Sequence, residues 1–172
     1  MDLVGIPCKV TEQRETCIVL NVYAESFKKV VGGRFISKEE ALILVKGFEE
    51  KGLIIQPEHN RNPEYICFCC GCCCGILNML KRFPKPAEYY ESNYYATVDN
   101  EACAGCSTCV TRCQMGAVSM QDEKAVIDLD RCIGCGLCTS TCKTGAMALN
   151  RKTEEVIPPK DHKDLYKKIF MK

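Results

Sequence analysis

Apolar positions along the chain fall into three patterns. Between residues 37 and 52 they recur at helical spacing, as Ala41, Leu42, Leu44, Val45 and Phe48. Ser37 stands ahead of them as an N-cap with Glu40 three residues on, a capping-box arrangement, and Gly52 is the expected stop. The preceding Gly32-Gly33 predicts a turn or a joint. A short amphipathic segment follows from Ile76 to Phe83. Pro84 and Pro86 then break helix continuation in a stretch that carries Tyr89, Tyr90, Tyr94 and Tyr95. These tyrosines are read as packing across a domain junction. Farther on, Val126, Ile127 and Leu129 supply β-prone residues for a short strand. Leu165, Tyr166, Ile169 and Phe170 return to helical spacing in a lysine-rich end, which leaves docking on a partner or folding back on its own domain both open.

A second regularity is an internal repeat. Ala96 to Met120 aligns without gaps on Ala125 to Leu149, an offset of 29 residues. Matched pairs include Asp99 with Asp128, Gly105 with Gly134, Gly116 with Gly145 and Ala117 with Ala146, besides four cysteines in each copy. Each copy reads as a short strand, a cysteine loop, a short helix and a returning strand. Four parts are therefore expected: a small, mainly helical cysteine-rich module at 1–83, a linker at 84–95, the repeat domain at 96–150 and a basic tail at 151–172. The fold class is α+β.

Composition changes the picture at one residue type. The 172 residues carry 16 cysteines and a formal charge of +1. So many thiols in a short chain indicate either a secreted disulfide scaffold or a metalloprotein. Met1 to Val10 has neither the basic nor the apolar region of a secretory signal, and no stretch has the ~20 apolar residues that cross a bilayer. A cytoplasmic protein with reduced thiols and no membrane span is expected, and metal binding becomes the default. Residues 1–95 hold twelve basic and twelve acidic side chains, so no nucleic-acid face is expected. No nucleophile–base pair, P-loop or dinucleotide fingerprint is present. His59, in a polar loop, and His162, in the tail, are read as solvated.

In each repeat copy the cysteines fall as C-x2-C-x2-C-x3-C: Cys103, Cys106, Cys109 and Cys113, then Cys132, Cys135, Cys138 and Cys142. Three thiolates two residues apart in a tight loop converge on three corners of one cube. The fourth cysteine sits on the following helix, facing the other cluster. Cys103, Cys106, Cys109 and Cys142 are thus assigned to one [4Fe–4S] cluster, and Cys132, Cys135, Cys138 and Cys113 to the second. Paired zinc sites also use C-x2-C, but a third regular cysteine with a crossed fourth is not the usual zinc arrangement.

With these motifs, residues ~94–150 resemble the bacterial dicluster ferredoxin family. The resemblance implies a pseudo-twofold α+β fold with two cubane clusters close enough to exchange electrons. The chain departs from the family where proline follows the fourth cysteine, having Gln114 and Lys143 instead. Each restores a backbone N–H, and Lys143 adds a positive charge that favours the reduced cluster. From Arg34 to Ala41 through the cysteine run into the repeats, the chain is similar to a less common group of multi-domain iron–sulfur proteins of anaerobic microbes.

That run, Cys67, Cys69, Cys70, Cys72, Cys73 and Cys74, places six cysteines in eight residues. Adjacent cysteines in extended chain point to opposite sides, so the thiols are presented in two directions. With Cys8 and Cys17 they leave a third iron–sulfur centre, a zinc site or a redox-active thiol pair open. The expected role is electron transfer, as a soluble carrier or as a subunit of a larger oxidoreductase, with a redox protein partner that offers a basic docking surface. A redox or metal sensor, or an enzyme using a centre in the N-terminal module, is the alternative.

Overall fold

A computed structural model describes residues 8–171, apart from the side chain of Ile169. Residues 1–7, which hold most of the stretch inspected for a signal, and Lys172 lie outside the described residues, as does the Ile169 side chain of the C-terminal helical pattern.

The N-terminal part is built on a three-stranded antiparallel sheet that the hydrophobic pattern did not announce. Strand β1 (Cys17–Val19) precedes helices α1 (Tyr23–Val31) and α2 (Lys38–Lys51), and β2 (Ile54–Pro57) and β3 (Tyr65–Cys69) follow. The sheet order is β1-β3-β2, with Cys17 opposite Cys67 and Ile54 opposite Cys69. Helix α2 forms where the periodicity placed it. Ser37 Oγ accepts from the Glu40 N–H at 3.1 Å, while the Glu40 carboxylate turns to Arg34 at 2.5 Å instead of closing the capping box. At the other end the Gly52 N–H donates to the Glu49 carbonyl. Helix α3 (Gly75–Leu80) follows the cysteine run, and a 3-10 turn at Pro86–Glu88 follows that.

In the repeat region the order strand, helix, strand occurs twice: β4 (Tyr94–Val98), α4 (Thr108–Arg112), β5 (Val118–Gln121), then β6 (Lys124–Ile127), α5 (Leu137–Ser140), β7 (Met147–Arg151). Strand β4 pairs antiparallel with β7 and β5 with β6, so the first strand of the region is bound to the last.

Among the described residues, three apolar clusters hold the chain together. Ala96, Cys109, Val118, Ala125, Cys138 and Met147 form one inside the repeats. Phe48, Leu53, Phe68 and Cys70 form another between α2 and the sheet, with the Phe48 and Phe68 rings 4.4 Å apart. The third joins the two parts, bringing Ile54, Leu77 and Leu80 against Met115, Ile133 and Leu137. Polar clamps reinforce that junction. The Arg112 guanidinium donates to the carbonyls of Glu49 and Glu50, at the end of α2 where helix carbonyls lack partners. Gln114 donates through Nε2 to the Gly52 carbonyl at 3.1 Å and accepts at Oε1 from the Gly71 N–H at 2.9 Å. Gly71 has no room for more: a Cβ there would lie 2.5 Å from the Gln114 carbonyl oxygen. Replacing Arg112 by Ala is expected to lower stability by about 1.5–3 kcal/mol, the range for hydrogen bonds to a charged group, as measured by chemical denaturation under anaerobic conditions.

The tail folds back on the N-terminal part. Helix α6 (His162–Phe170) is capped by Asp161, and His162, read from sequence as solvated, keeps an exposed side chain while also pairing with the buried carboxylate of Glu58. His59 likewise meets Glu91 at 2.8 Å, and Lys168 reaches the same carboxylate at 3.3 Å. Burial would raise Glu58, but hydrogen bonds from His162, the Glu64 N–H and Asn60 outweigh it and hold the carboxyl below its ordinary value of 4.5. The Glu58 hydrogen bond, against opposing burial and with Glu64 and Asp161 nearby, raises His162 above 6.5. The histidine contribution is complete below about pH 6.5 and fades as pH rises through its raised value; the glutamate contribution is complete above about pH 4.5 and fades as pH falls through its lowered one. Docking of α6 should therefore be firmest between these limits. Hydrogen exchange of its amides, corrected for intrinsic rates, is expected to quicken from pH 6 to pH 9, and His162→Gln should remove that dependence.

Candidate metal centres

The cysteine loops of the repeats open into two small apolar pockets. Cys103, Cys106, Cys109 and Cys142 line one, whose other walls combine apolar Ala125, Met120 and Met147 with the hydroxyl residues Ser107, Thr108 and Thr144. Cys132, Cys135, Cys138 and Cys113 line another, walled by Ala96, Met115, Val118, Ile133 and Leu137. Three thiols in each pocket come from one copy of the repeat. The fourth arrives from the other copy, Cys113 from the end of α4 and Cys142 from just beyond α5. Among the described residues no other titratable side chain lines either pocket, and all eight cysteines are free of disulfides. Four thiols within an apolar wall are the donor set that an iron–sulfur cluster takes, so the residues fit such a group.

Residues 102–146 match the family model of the 4Fe-4S dicluster domain. This stretch is a ferredoxin-type iron–sulfur domain. No curated protein matches the chain.

The two pockets of the ferredoxin-type domain meet solvent differently. Burial pushes Cys135 up to about 11 and Cys138 up to about 12. In the first pocket Cys109 is likewise raised by burial. Cys106, at the surface, is lowered by the Thr108 hydroxyl and backbone N–H. Cys142 is lowered by the Thr144 hydroxyl, which prevails over slight burial together with the N–H groups of Met147, Thr144 and Ala146. The Ala117 N–H donates to Cys113 Sγ at 3.2 Å. Such N–H donors favour the charged form of sulfur. Lys143 is exposed, whereas Gln114, the other departure from the family pattern, serves the clamp to Gly52 and Gly71.

The eight thiols of the N-terminal part separate into two groups. Alternation along β3 puts Cys67 and Cys69 on one face. Cys17 lies opposite Cys67 in register, with their sulfurs 3.6 Å apart, and Cys74 reaches Cys69. Within this linked row, the hydrogen bond from Cys17, aided by Cys69, lowers Cys67 to about 3, while Cys17 and Cys69 are raised chiefly by contact with Cys67. On the other side Cys8, Cys70, Cys72 and Cys73 gather with their sulfurs all within 4.8 Å of one another. Spacing carries no signal for this sorting, because Cys8 and Cys17 are some 50 or more positions from their neighbours. Tyr90, among the tyrosines read as junction residues, packs with Cys69, Cys74, Cys113 and Cys135 on the shared apolar cluster. Burial, with those nearby sulfurs, pushes its hydroxyl up to about 12. A groove beside Cys17 and Cys67 is lined by Phe27, Lys28, Arg34 and Phe35.

One residue of the second pocket tolerates no side chain. Gly134 has φ +65°, and a Cβ there would sit 2.1 Å from the carbonyl oxygen of Tyr94 on β4. Gly134→Ala must push the Cys132–Cys135 loop away from β4. It is expected to leave the protein with a clear deficit of iron and sulfide per chain after anaerobic purification, compared with the unaltered protein.

Proposed function

We propose that this chain is an electron-transfer protein that passes single electrons through two [4Fe–4S] clusters. Cys103, Cys106, Cys109 and Cys142 would hold one cluster, and Cys132, Cys135, Cys138 and Cys113 the other, in a domain whose two copies are related by a pseudo-twofold. What carries the reading is the composition of each pocket: three thiols of one loop plus the fourth thiol of the opposite copy, with no competing titratable group. When bound, a cubane supplies a one-electron redox couple.

The chain's own residues provide the rest. The thiols are permanent ligands, and N–H groups such as that of Ala117 temper the charge on sulfur. Apolar walls limit the access of water, more around Cys135 and Cys138 than around exposed Cys106. The pocket with exposed Cys106 faces the surface, which favours it as the side where a partner docks. The pocket of Cys135 and Cys138 faces the junction with the N-terminal part. Residues 96–149 carry four basic and six acidic side chains, a formal charge of −2 that suits a basic surface on a redox partner and an encounter weakened by salt. A soluble carrier and the wiring subunit of an oxidoreductase share these features. The cytoplasm of an anaerobic cell, where thiols stay reduced and clusters escape oxygen, is the compartment that fits. Among the described residues no helix is long and apolar enough to cross a membrane.

The test is iron and acid-labile sulfide on anaerobically purified protein, with EPR after reduction. About eight irons and eight sulfides per chain in the ferredoxin-type domain are expected from two cubanes. Cys142→Ser should disturb the EPR signal of one cluster and Cys113→Ser that of the other. Protein free of iron and sulfide would sink the proposal.

A further inference from the structure

We propose that Cys8, Cys70, Cys72 and Cys73 bind one mononuclear metal ion, zinc or a single iron, as a closed tetrathiolate site distinct from the ferredoxin-type pockets. The proposal is independent of the electron-transfer reading, since it concerns other residues and another kind of centre.

The close spacing of the sulfurs favours a single ion over a cluster. Cys8 Sγ lies 3.4 Å from Cys70 Sγ and 3.8 Å from Cys72 Sγ, and Cys70 Sγ lies 3.2 Å from Cys72 Sγ and 3.0 Å from Cys73 Sγ. A tetrahedral ion with metal–sulfur bonds of about 2.3 Å holds its four sulfurs about 3.8 Å apart along each edge. A cubane places four irons and four sulfides between its thiolates, which forces them wider. The molecule contains its own comparison: among the described residues, no three thiols of either ferredoxin-type quartet lie within 4.8 Å of one another, whereas this quartet does so completely.

The surroundings suit such a site. Four thiols supply soft donors with no open position, the pattern of a structural centre, and tetrahedral sulfur coordination selects zinc or iron. The Lys9 N–H donates to Cys72 Sγ at 3.4 Å, and the N–H groups of Val10 and Thr11 reach Cys8, as expected around thiolates that carry net negative charge. Cys70 is buried, and the other three pack against Phe48, Leu53 and Phe68. An ion here would tie the segment around Cys8 to the end of β3. It would also hold the Cys70-Gly71-Cys72 turn, whose Gly71 N–H meets Gln114 of the ferredoxin-type domain.

The experiment is metal analysis with X-ray absorption on full-length, anaerobically purified protein, at the zinc and iron edges, alongside the Cys72→Ser variant. One zinc per chain with four sulfurs at about 2.3 Å is the expected result. In Cys72→Ser that zinc should be lost while iron, sulfide and the EPR signals stay unchanged. If iron is the occupant, Cys72→Ser loses one iron and no sulfide. Loss of about four irons with four sulfides would make the quartet part of a third cluster and overturn the proposal. Protein without zinc, whose Cys72→Ser form loses no metal, would overturn it as well. The absorption measurement on the unaltered protein decides the zinc case even if the variant fails to fold.

Discussion

The antiparallel pairing of β4 with β7 is the constraint on which the repeat domain depends. Because the first strand of one copy is bonded to the last strand of the other, neither copy can close around its own cysteine loop alone. Strand β5 of the first copy likewise pairs with β6 of the second, and each pocket takes its fourth cysteine from the opposite copy. Each pocket is completed only when both copies are folded. A four-thiol site drawn from segments about thirty residues apart then contributes to the stability of the whole domain once loaded, since ligand binding to the folded state is folding free energy.

The cluster of Ile54, Leu77, Leu80, Met115, Ile133 and Leu137 extends the same logic across the molecule. It is apolar, so it brings the N-terminal sheet and the ferredoxin-type domain together without orientation of its own. Orientation comes from Arg112 and Gln114, which find carbonyls and an N–H left over at the end of α2 and at Gly71. Gln114 stands where the family usually has proline. A proline could neither donate to Gly52 nor accept from Gly71, which gives that departure a structural reason within this chain. Among the described residues, the exposed Lys143 at the equivalent place has no such contact to explain it.

Strand alternation does the corresponding sorting in the N-terminal part. In β3, residues two apart share a face, so Cys67 and Cys69 point with Cys17 toward one side. The chain then turns at Cys70, and the next thiols meet Cys8 on the other side. A run of six cysteines that looks uniform is thereby divided into a linked row near Tyr90 and a compact quartet beside Phe68.

Much of this was legible in the order of residues. Local rules act over a few positions, so the helix from Ser37 to Gly52, the alternating elements of the repeats and the cysteine spacing of the loops could all be read directly. The 29-residue offset and the C-x2-C-x2-C-x3-C pattern also indicated a ferredoxin-type domain before any geometry was known. The three-stranded sheet was not legible, because β1 has only three residues and β2 four, too short for a periodic signal. The grouping of Cys8 with Cys70 and of Cys17 with Cys67, the burial of Glu58 against His162, and the docking of α6 were likewise invisible. Sequence by itself determined which chemistry the chain carries, since ligand type and local spacing are written residue by residue. Only the tertiary structure decided which thiols meet, because contacts between segments fifty to a hundred positions apart depend on how apolar faces pack and which strands pair.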